Sequence, residues 1–545
     1  MQKRLLPLAL SLAASAACAG NYPFPQTPVY PGENLQIWLK PTSADADTVA
    51  ERAATLRAKY AQWKSDHLRE LTAPNGTRYT IVQTPDDHHP PEWGNIGAVS
   101  DSRAIAFGML LAVYMGGNVA GGVDAEQDLF RKLFKTWQTF KSRDCREWES
   151  GLPDGTRFWI RCKLMSAQVP ANFDPGKKAP SDPIADLDIA LALALAHKQW
   201  GSTRTYNYEG ELKDLARVLF LVGGYGTPWT QLPVLGDYAW SRNNQAGRYA
   251  ETEDDIDLDG NGRRTDVFDG FWGHSSYSGD WSSAQWTVLD AVLGSFPLSH
   301  DPSLHHTYRP NEVSSTTVKN NWLYMASFSR LSSNPWRYGL VPDFVARARR
   351  NGVFLESALI PADAGFPYTR LNGIAGPDGL LGLDRPSVFN HNGWNVMPLY
   401  VAWKNLAWPH AQVLDWSLKL SNLGFKHAGT SQNNWDWTRV PTSFNYLGDG
   451  VNTANKPSIT VALAVNNMFR PGNAYSQKAV NTSWAYMKAV RKGPGGTGWF
   501  DDSVNLLAML TTAKMVWFPT RYTAPPSGYA DEGWGAWPGG NAGAW

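Results

Sequence analysis

The chain has 545 residues, long enough for one large domain or two of ordinary size. Its 50 Lys and Arg are balanced by 49 Asp and Glu, so no global field steers it to nucleic acid or to an anionic membrane surface. The outlier is Trp, with 26 residues; such flat faces pack cores but also grip sugar rings, and many of these Trp stand beside Gly, Asn or Asp rather than in apolar runs.

The N-terminal MQKRLLPLALSLAASAACAG has a basic start (Lys3, Arg4), an apolar stretch (Leu5 to Ala14) and a small-residue cleavage site at Ala17-Cys18-Ala19. Residues 1–19 therefore read as a secretory signal, and the expectation is a secreted or periplasmic protein. No later stretch offers the ~20 apolar residues of a membrane span. After a Pro-rich leader (Asn21 to Pro41), Ser43–Leu71 is amphipathic and stops at the turn Ala73-Pro74-Asn75-Gly76. Ser100–Tyr114 and Asp124–Lys141 follow as helices. Cys145 and Cys162 flank the turn Pro153-Asp154-Gly155, so a hairpin would bring the two sulfurs together, and an oxidising compartment would let them bond.

Ala185–Trp200 is apolar nearly all round, which predicts a helix buried on every side. Leu212–Leu221, Trp281–Leu293, Pro342–Arg350, Val396–Asn405 and Val480–Val490 are further predicted helices. Residues 523–545, rich in Gly, Pro and Trp, lack the apolar periodicity of a domain. One domain over 20–522 is expected, an all-α ring of helical hairpins with apolar inner helices, amphipathic outer ones, long aromatic loops and a small β-hairpin. The expected oligomeric state is a monomer.

Asp255–Asp266, DIDLDGNGRRTD, has acids at loop positions 1, 3, 5 and 12 and Gly260 at the sixth. Carboxylates in so tight a turn repel one another unless a hard cation sits among them, so Asp255, Asp257, Asp259, Asn261 and Asp266 are the expected ligands of a structural Ca²⁺. Directly after it, Phe268–Trp286 gathers His274, Tyr277, Asp280 and Trp281, a density that suits a cleft wall.

Three stretches resemble glycoside hydrolase family 8. AFGMLLAV (Ala106–Val113) is similar to the family's YGMLLAV, ADLDIALALALAHKQWG (Ala185–Gly201) to its GDLDIAYSLLLAHKQWG, and YGLVPDF (Tyr338–Phe344) to its GLVPDW. The resemblance implies an (α/α)6 toroid and an endo-acting enzyme that cleaves a β-linked polysaccharide with inversion. It also implies an acid in an S-E-G segment ahead of YGM, two Asp in an A-T-D-G-D block and a base in a Y-D-A-x-R segment. The chain departs at each place. Reading back from Phe107-Gly108-Met109 puts Arg103 at the acid. Ile184 stands at the first Asp of the block and Asp186 at the second. FNHNGWNVMPLY (Phe389–Tyr400) puts Asn392 and Asn395 at the base segment's Asp and Arg.

Inverting hydrolysis needs a protonated carboxyl beside the leaving oxygen and an ionised one about 6.5–9.5 Å away. An arginine cannot release its proton, and an asparagine cannot accept one. Other carboxylates would have to act, and the candidates are Asp101, Glu92, Asp182 and Asp280. Three of them have a plainer role as well: Asp101 and Asp280 at the starts of helices, and Asp182 before Pro183, are all good caps, while Glu92 lies in a loop that could overhang the cleft. Arg103, Asp186, His274, Tyr277, Trp281, His391 and Asn392 are the expected substrate contacts, and Asp188 reads as structural. Two other functions stay open: a lyase on a uronic-acid polymer, for which Arg, Asn, His and Tyr are suitable residue types, and a glycan-binding relative without catalysis.

Overall fold

The computed structural model describes, apart from short breaks, residues 20–30, 47–84, 97–223, 392–490 and 498–519, with the pieces 275–277, 284–285, 288–289, 338–339, 344–350 and 353–359. Ten helices lie in these residues: α1 (Val49–His67), α2 (Ser102–Met115), α3 (Ala125–Thr139), α4 (Pro183–Trp200), α5 (Tyr208–Gly223), α6 (Asn392–Ala407), α7 (Ala411–Ala428), α8 (Pro457–Val465), α9 (Ala474–Ala489) and α10 (Trp499–Thr512). No described helix is long and apolar enough to cross a membrane.

Side-chain pattern decides which helices go inside. Every residue of α2 is buried, as is every residue of α4 from Ile184 to Ala196. A helix without a polar face is stable only when neighbours cover all of it. The polar-faced α3 buries just Leu129, Phe130, Leu133, Phe134, Thr136 and Trp137. The inner helices accordingly form a ring. α2 packs on α4; α4 and residues 284–289 meet α6 through Asp188, to which both Gln285 and Tyr400 donate; α6 packs on α8, α8 on α10, and α10 returns to α2. α1 packs on α10, α3 on α2, α5 on α4, α7 on α6 and α9 on α8 and α10, an outer layer of hairpin partners. This is the (α/α)6 toroid expected from the sequence.

Polar pins hold the layers in register. Asn466 donates to the Pro398 and Ala462 carbonyls, tying α6 to the end of α8. The indoles of Trp63, Trp403 and Trp484 donate to Ser503, Thr511 and Asp47. These Trp are buried core residues, so in this part of the chain the indoles pack helices together. The N-terminal segment docks across two helix ends: Asn21 N–H donates to the Gln199 carbonyl and Phe24 N–H to that of Gly116.

The small sheets sit at the helix ends. β1 (Leu68–Thr72) and β2 (Arg78–Val82) form a hairpin, β3 (Ala98–Asp101) pairs with β6 (Gln168–Pro170), and β4 (Trp148–Gly151) pairs with β5 (Arg157–Ile160). The last of these is the hairpin expected around Pro153-Asp154-Gly155. Cys145 packs against the core beside it, and Cys162 lies outside the described residues.

Two expectations are corrected. Among the described residues of Ser43–Leu71, Val49–His67 is helical and Leu68–Leu71 is already strand β1, which pairs with β2 across a turn that contains Gly76 at φ +79°. Pro342–Arg350 is not a helix but strand β8 (Phe344–Arg350), between β7 (Ser275–Tyr277) and β9 (Val353–Leu359). Its alternation of Ala and Arg has the period of a strand, and an antiparallel neighbour on each side supplies the hydrogen bonds.

Candidate active site

Two inner helices begin at one place. Asp101 ends β3 and caps α2, its Oδ1 accepting from the Ala104 N–H at 2.6 Å. Asp182 caps α4 ahead of Pro183, its Oδ1 accepting from Ile184 N–H at 3.1 Å. In the first turn of α2, Arg103 reaches across and donates from Nη2 to Asp182 Oδ2 at 2.7 Å. The ion pair is shielded, with side-chain exposures of 10% and 6%. The family resemblance puts an acid at Arg103; here the guanidinium is neutralised by the cap of the next helix.

Asp188 lies one and a half turns into α4. It accepts from Tyr400 Oη at 2.5 Å and from Gln285 Nε2 at 2.7 Å, and all three are buried. Asp186, also buried, accepts from the Met165 N–H at 3.1 Å and so holds the segment before β6 against α4.

Burial sets the protonation of this cluster. It pushes the Asp101 carboxyl up to about 7, against the opposing pull of the Ala104 N–H and of Arg103. Burial also takes Asp188 to about 7, although Tyr400, Gln285 and Arg103 favour its charged form. Desolvation disfavours the Arg103 charge, yet Asp182, Tyr400 and Asp101 outweigh it and raise its pKa. Burial, then the Asp188 charge, drives the Tyr400 phenol well above its ordinary value. Asp101 is thus a carboxyl half-protonated near neutrality, beside a fixed positive charge. With Oδ1 committed to the helix cap, Oδ2 is the better seat for the proton.

Of the residues expected to act, the structure brings Asp101, Arg103 and Asp182 together and places Asp186 nearby. The capping roles of Asp101 and Asp182 are real. Tyr277 is the last residue of β7, opposite Phe344, and Asn392 is the first residue of α6. Glu92, Asp280, His274, Trp281, His391 and the loop carrying Asp255, Asp257, Asp259, Asn261 and Asp266 lie outside the described residues. Among the described residues no group of three His, Cys, Asp or Glu could hold a metal ion.

Sequence reasoning missed Tyr400 and Gln285, and took Asp188 for a structural residue without seeing its partners. A usable signal for Asp188 existed: an acid inside a helix apolar on all sides must find donors.

No family model matches the chain. It is 29% identical over 227 residues to a β-glucanase of Niallia circulans, covering 42% of this chain and 45% of that one. It is 29% identical over 208 residues to endoglucanase 2 of Ruminiclostridium josui, covering 38% and 35%. The aligned region thus spans less than half the length of these curated relatives. The fold is similar to that of a β-1,3-1,4-glucanase from Paenibacillus sp. X4, with a TM-score of 0.60 at 20% identity over 91% of this chain and 99% of that one. In sequence the chain is similar to these glucanases over part of its length, and in fold to the Paenibacillus enzyme, in keeping with its resemblance to family 8 glycoside hydrolases. Rex8A from Paenibacillus barcinonensis, solved with xylose, shares the architecture at 11% identity, with a TM-score of 0.51 over 90% of this chain and 100% of that one.

Proposed function

We propose that this chain is an endo-acting, inverting glycoside hydrolase acting on a β-linked glucan, with Asp101 in place of the lost acid. The observation that carries this reading is the position of Asp101: a carboxyl held near neutral protonation, two residues ahead of Arg103, where α2 and α4 begin together. Asp101 protonates the glycosidic oxygen as the bond breaks, and a second carboxylate on the far side of the sugar takes a proton from the attacking water. Glu92 and Asp280 are the candidates for that base. The relatives named β-glucanase and endoglucanase support the glucan as substrate.

The ion pair bears on the alternatives. A uronate-cleaving lyase would need a cation free to meet the substrate's carboxylate, whereas Arg103 already answers Asp182 at 2.7 Å. That favours a neutral glycan. The same pair favours a second reading, a glycan binder without turnover, since it occupies the place where the resemblance expects the acid.

Release of reducing ends from mixed-linkage β-glucan, xylan and chitosan separates them. The hydrolase reading expects product from at least one polymer, and a loss of about 100-fold or more in Asp101→Asn. Asn caps a helix as well as Asp does, so that variant should stay folded. Silence on every polymer, or full activity in Asp101→Asn, refutes the assignment.

Export as a secreted or periplasmic monomer, a Cys145–Cys162 disulfide and a structural Ca²⁺ at Asp255–Asp266 belong to the same proposal. A non-reducing peptide map joining residues 145 and 162 checks the disulfide.

A further inference from the structure

Away from the helix starts, the structure presents an aromatic group on its outer face. β10 (Gly429–Ser431) and β11 (Asn434–Trp435) form a small antiparallel ladder after α7, and α9 begins beside it. Tyr475, in the first turn of α9, is 41% exposed, and it is the one aromatic among the exposed large hydrophobic side chains of the described residues. Its ring is braced rather than loose. Phe425 of α7 stacks on it, with centroids 5.7 Å apart and planes 19° apart, and Trp435 meets it edge-on at 4.7 Å.

Polar planar groups border the stack. The Arg470 guanidinium lies 4.2 Å from the Phe425 centroid and donates from Nη1 to Asn422 Oδ1 at 2.7 Å and to Ser421 Oγ at 3.2 Å. Asn422 is exposed beside it, and Asn434, next to Trp435 in β11, is exposed as well. An exposed tyrosine with no role in a core leaves apolar surface in water, and bracing it adds order without hiding it.

The chemistry that fits is a sugar ring. One face of a β-linked glucose unit carries axial C–H groups that meet the electron-rich face of an aromatic ring, while its hydroxyls point outward to amide and guanidinium groups at the edge. A ring already fixed by Phe425 and Trp435 loses little freedom when a ligand lands on it. The polar border suits a neutral, hydroxyl-rich ligand better than an apolar partner surface.

We propose that Tyr475, backed by Phe425 and Trp435 and bordered by Asn422 and Arg470, is a surface platform for a β-linked glucan chain. It shares no residue with the Asp101–Arg103–Asp182 cluster. The choice of glucan rests on the function proposed above, but the platform needs no hydrolysis. A second contact with one polymer raises the local concentration of chain near the protein, a gain that a short oligosaccharide cannot supply.

The test is migration of the full chain through native gels with and without soluble mixed-linkage β-glucan. The wild-type protein is expected to be retarded, Tyr475→Ala to bind about tenfold more weakly, and Tyr475→Phe, which keeps the ring, to match wild type. Urea midpoints of the three proteins check that all are folded. Equal retardation of Tyr475→Ala and wild type, failure of Tyr475→Phe to hold, or no retardation of wild type overturns the platform. If β-glucan is not cleaved but the Tyr475 dependence holds, the hydrolase assignment falls and the platform stands.

Discussion

The Arg103–Asp182 pair allows a sharp test, because Asp182 uses its two oxygens for different tasks. Oδ1 caps α4 and Oδ2 holds Arg103. Asp182→Asn keeps the cap, since Asn is an equally good capping residue, but turns an amide toward the guanidinium. Arginine cannot escape by losing its proton, so a buried charge loses its hydrogen-bonded counter-ion and keeps only the weaker pull of Asp101 and Asp188. Breaking one side of such a pair costs about 3–5 kcal/mol. Arg103→Met should cost less, because the stranded Asp182 can take up a proton. The double variant Arg103→Met/Asp182→Asn removes both charges and should be more stable than Asp182→Asn alone, with a coupling energy of about 2 kcal/mol or more. The assay is urea unfolding followed by circular dichroism, comparing midpoints at constant m. Because the pair is shielded, 1 M NaCl should barely change the result. An Asp182→Asn loss under about 1 kcal/mol, or a double variant that loses the sum of the singles, would refute the reasoning.

Other outcomes follow from the same geometry. Asp188 has a folded-state pKa of about 7 against an ordinary 3.8, so between those values the folded chain holds a proton that the unfolded chain has released. Its contribution to stability must therefore fall as pH rises through that window, by at most about 1.4 kcal/mol per pH unit; the stability difference between wild type and Asp188→Asn, measured from pH 4.5 to 7.5, should decline accordingly, and a flat or rising difference counts against it. Asp101, also at about 7, sets the basic limb of any activity: turnover should drop above roughly pH 7. Gly117 has φ +88°, and a Cβ there would stand 2.7 Å from Pro23 Cα, so Gly117→Ala should destabilise by about 1–3 kcal/mol and speed proteolysis of the segment at Asn21–Phe24. Ca²⁺ in hundredfold excess over its Kd should stabilise the chain by about 2.7 kcal/mol, an effect lost in Asp255→Asn/Asp259→Asn and visible as a Tm shift after chelation.

Local pattern carried much of the architecture. The all-apolar faces of α2 and α4 and the one-sided faces of α1 and α3 already distinguish inner from outer positions, while the ring of hairpins also drew on the family resemblance. Three helices escaped. α8 is only nine residues long, with Pro457 but no capping side chain at its start, and α10, beginning at Trp499, has Gly498 at its N-cap and no capping side chain either. α7 ends at Ala428 and passes directly into β10 at Gly429, so the helix and the strand share one uninterrupted stretch of chain. β8 was read as a helix although its own alternation and its partner β9, which starts at Val353 just after it, are local signals; only β7 reaches it from a distant part of the chain.

In the candidate site, the sequence alone puts Asp101 two residues ahead of Arg103, and a family resemblance, not the residues themselves, suggested that this is where an acid would stand. That Arg103 is bound by Asp182, 79 residues away, and Asp188 by Tyr400, 212 residues away, was decided only when the inner helices closed into a ring. The near-neutral carboxyls have the same origin. A pKa follows from how much water and which charges surround a group, and these are supplied by helices that packing, not sequence order, makes neighbours.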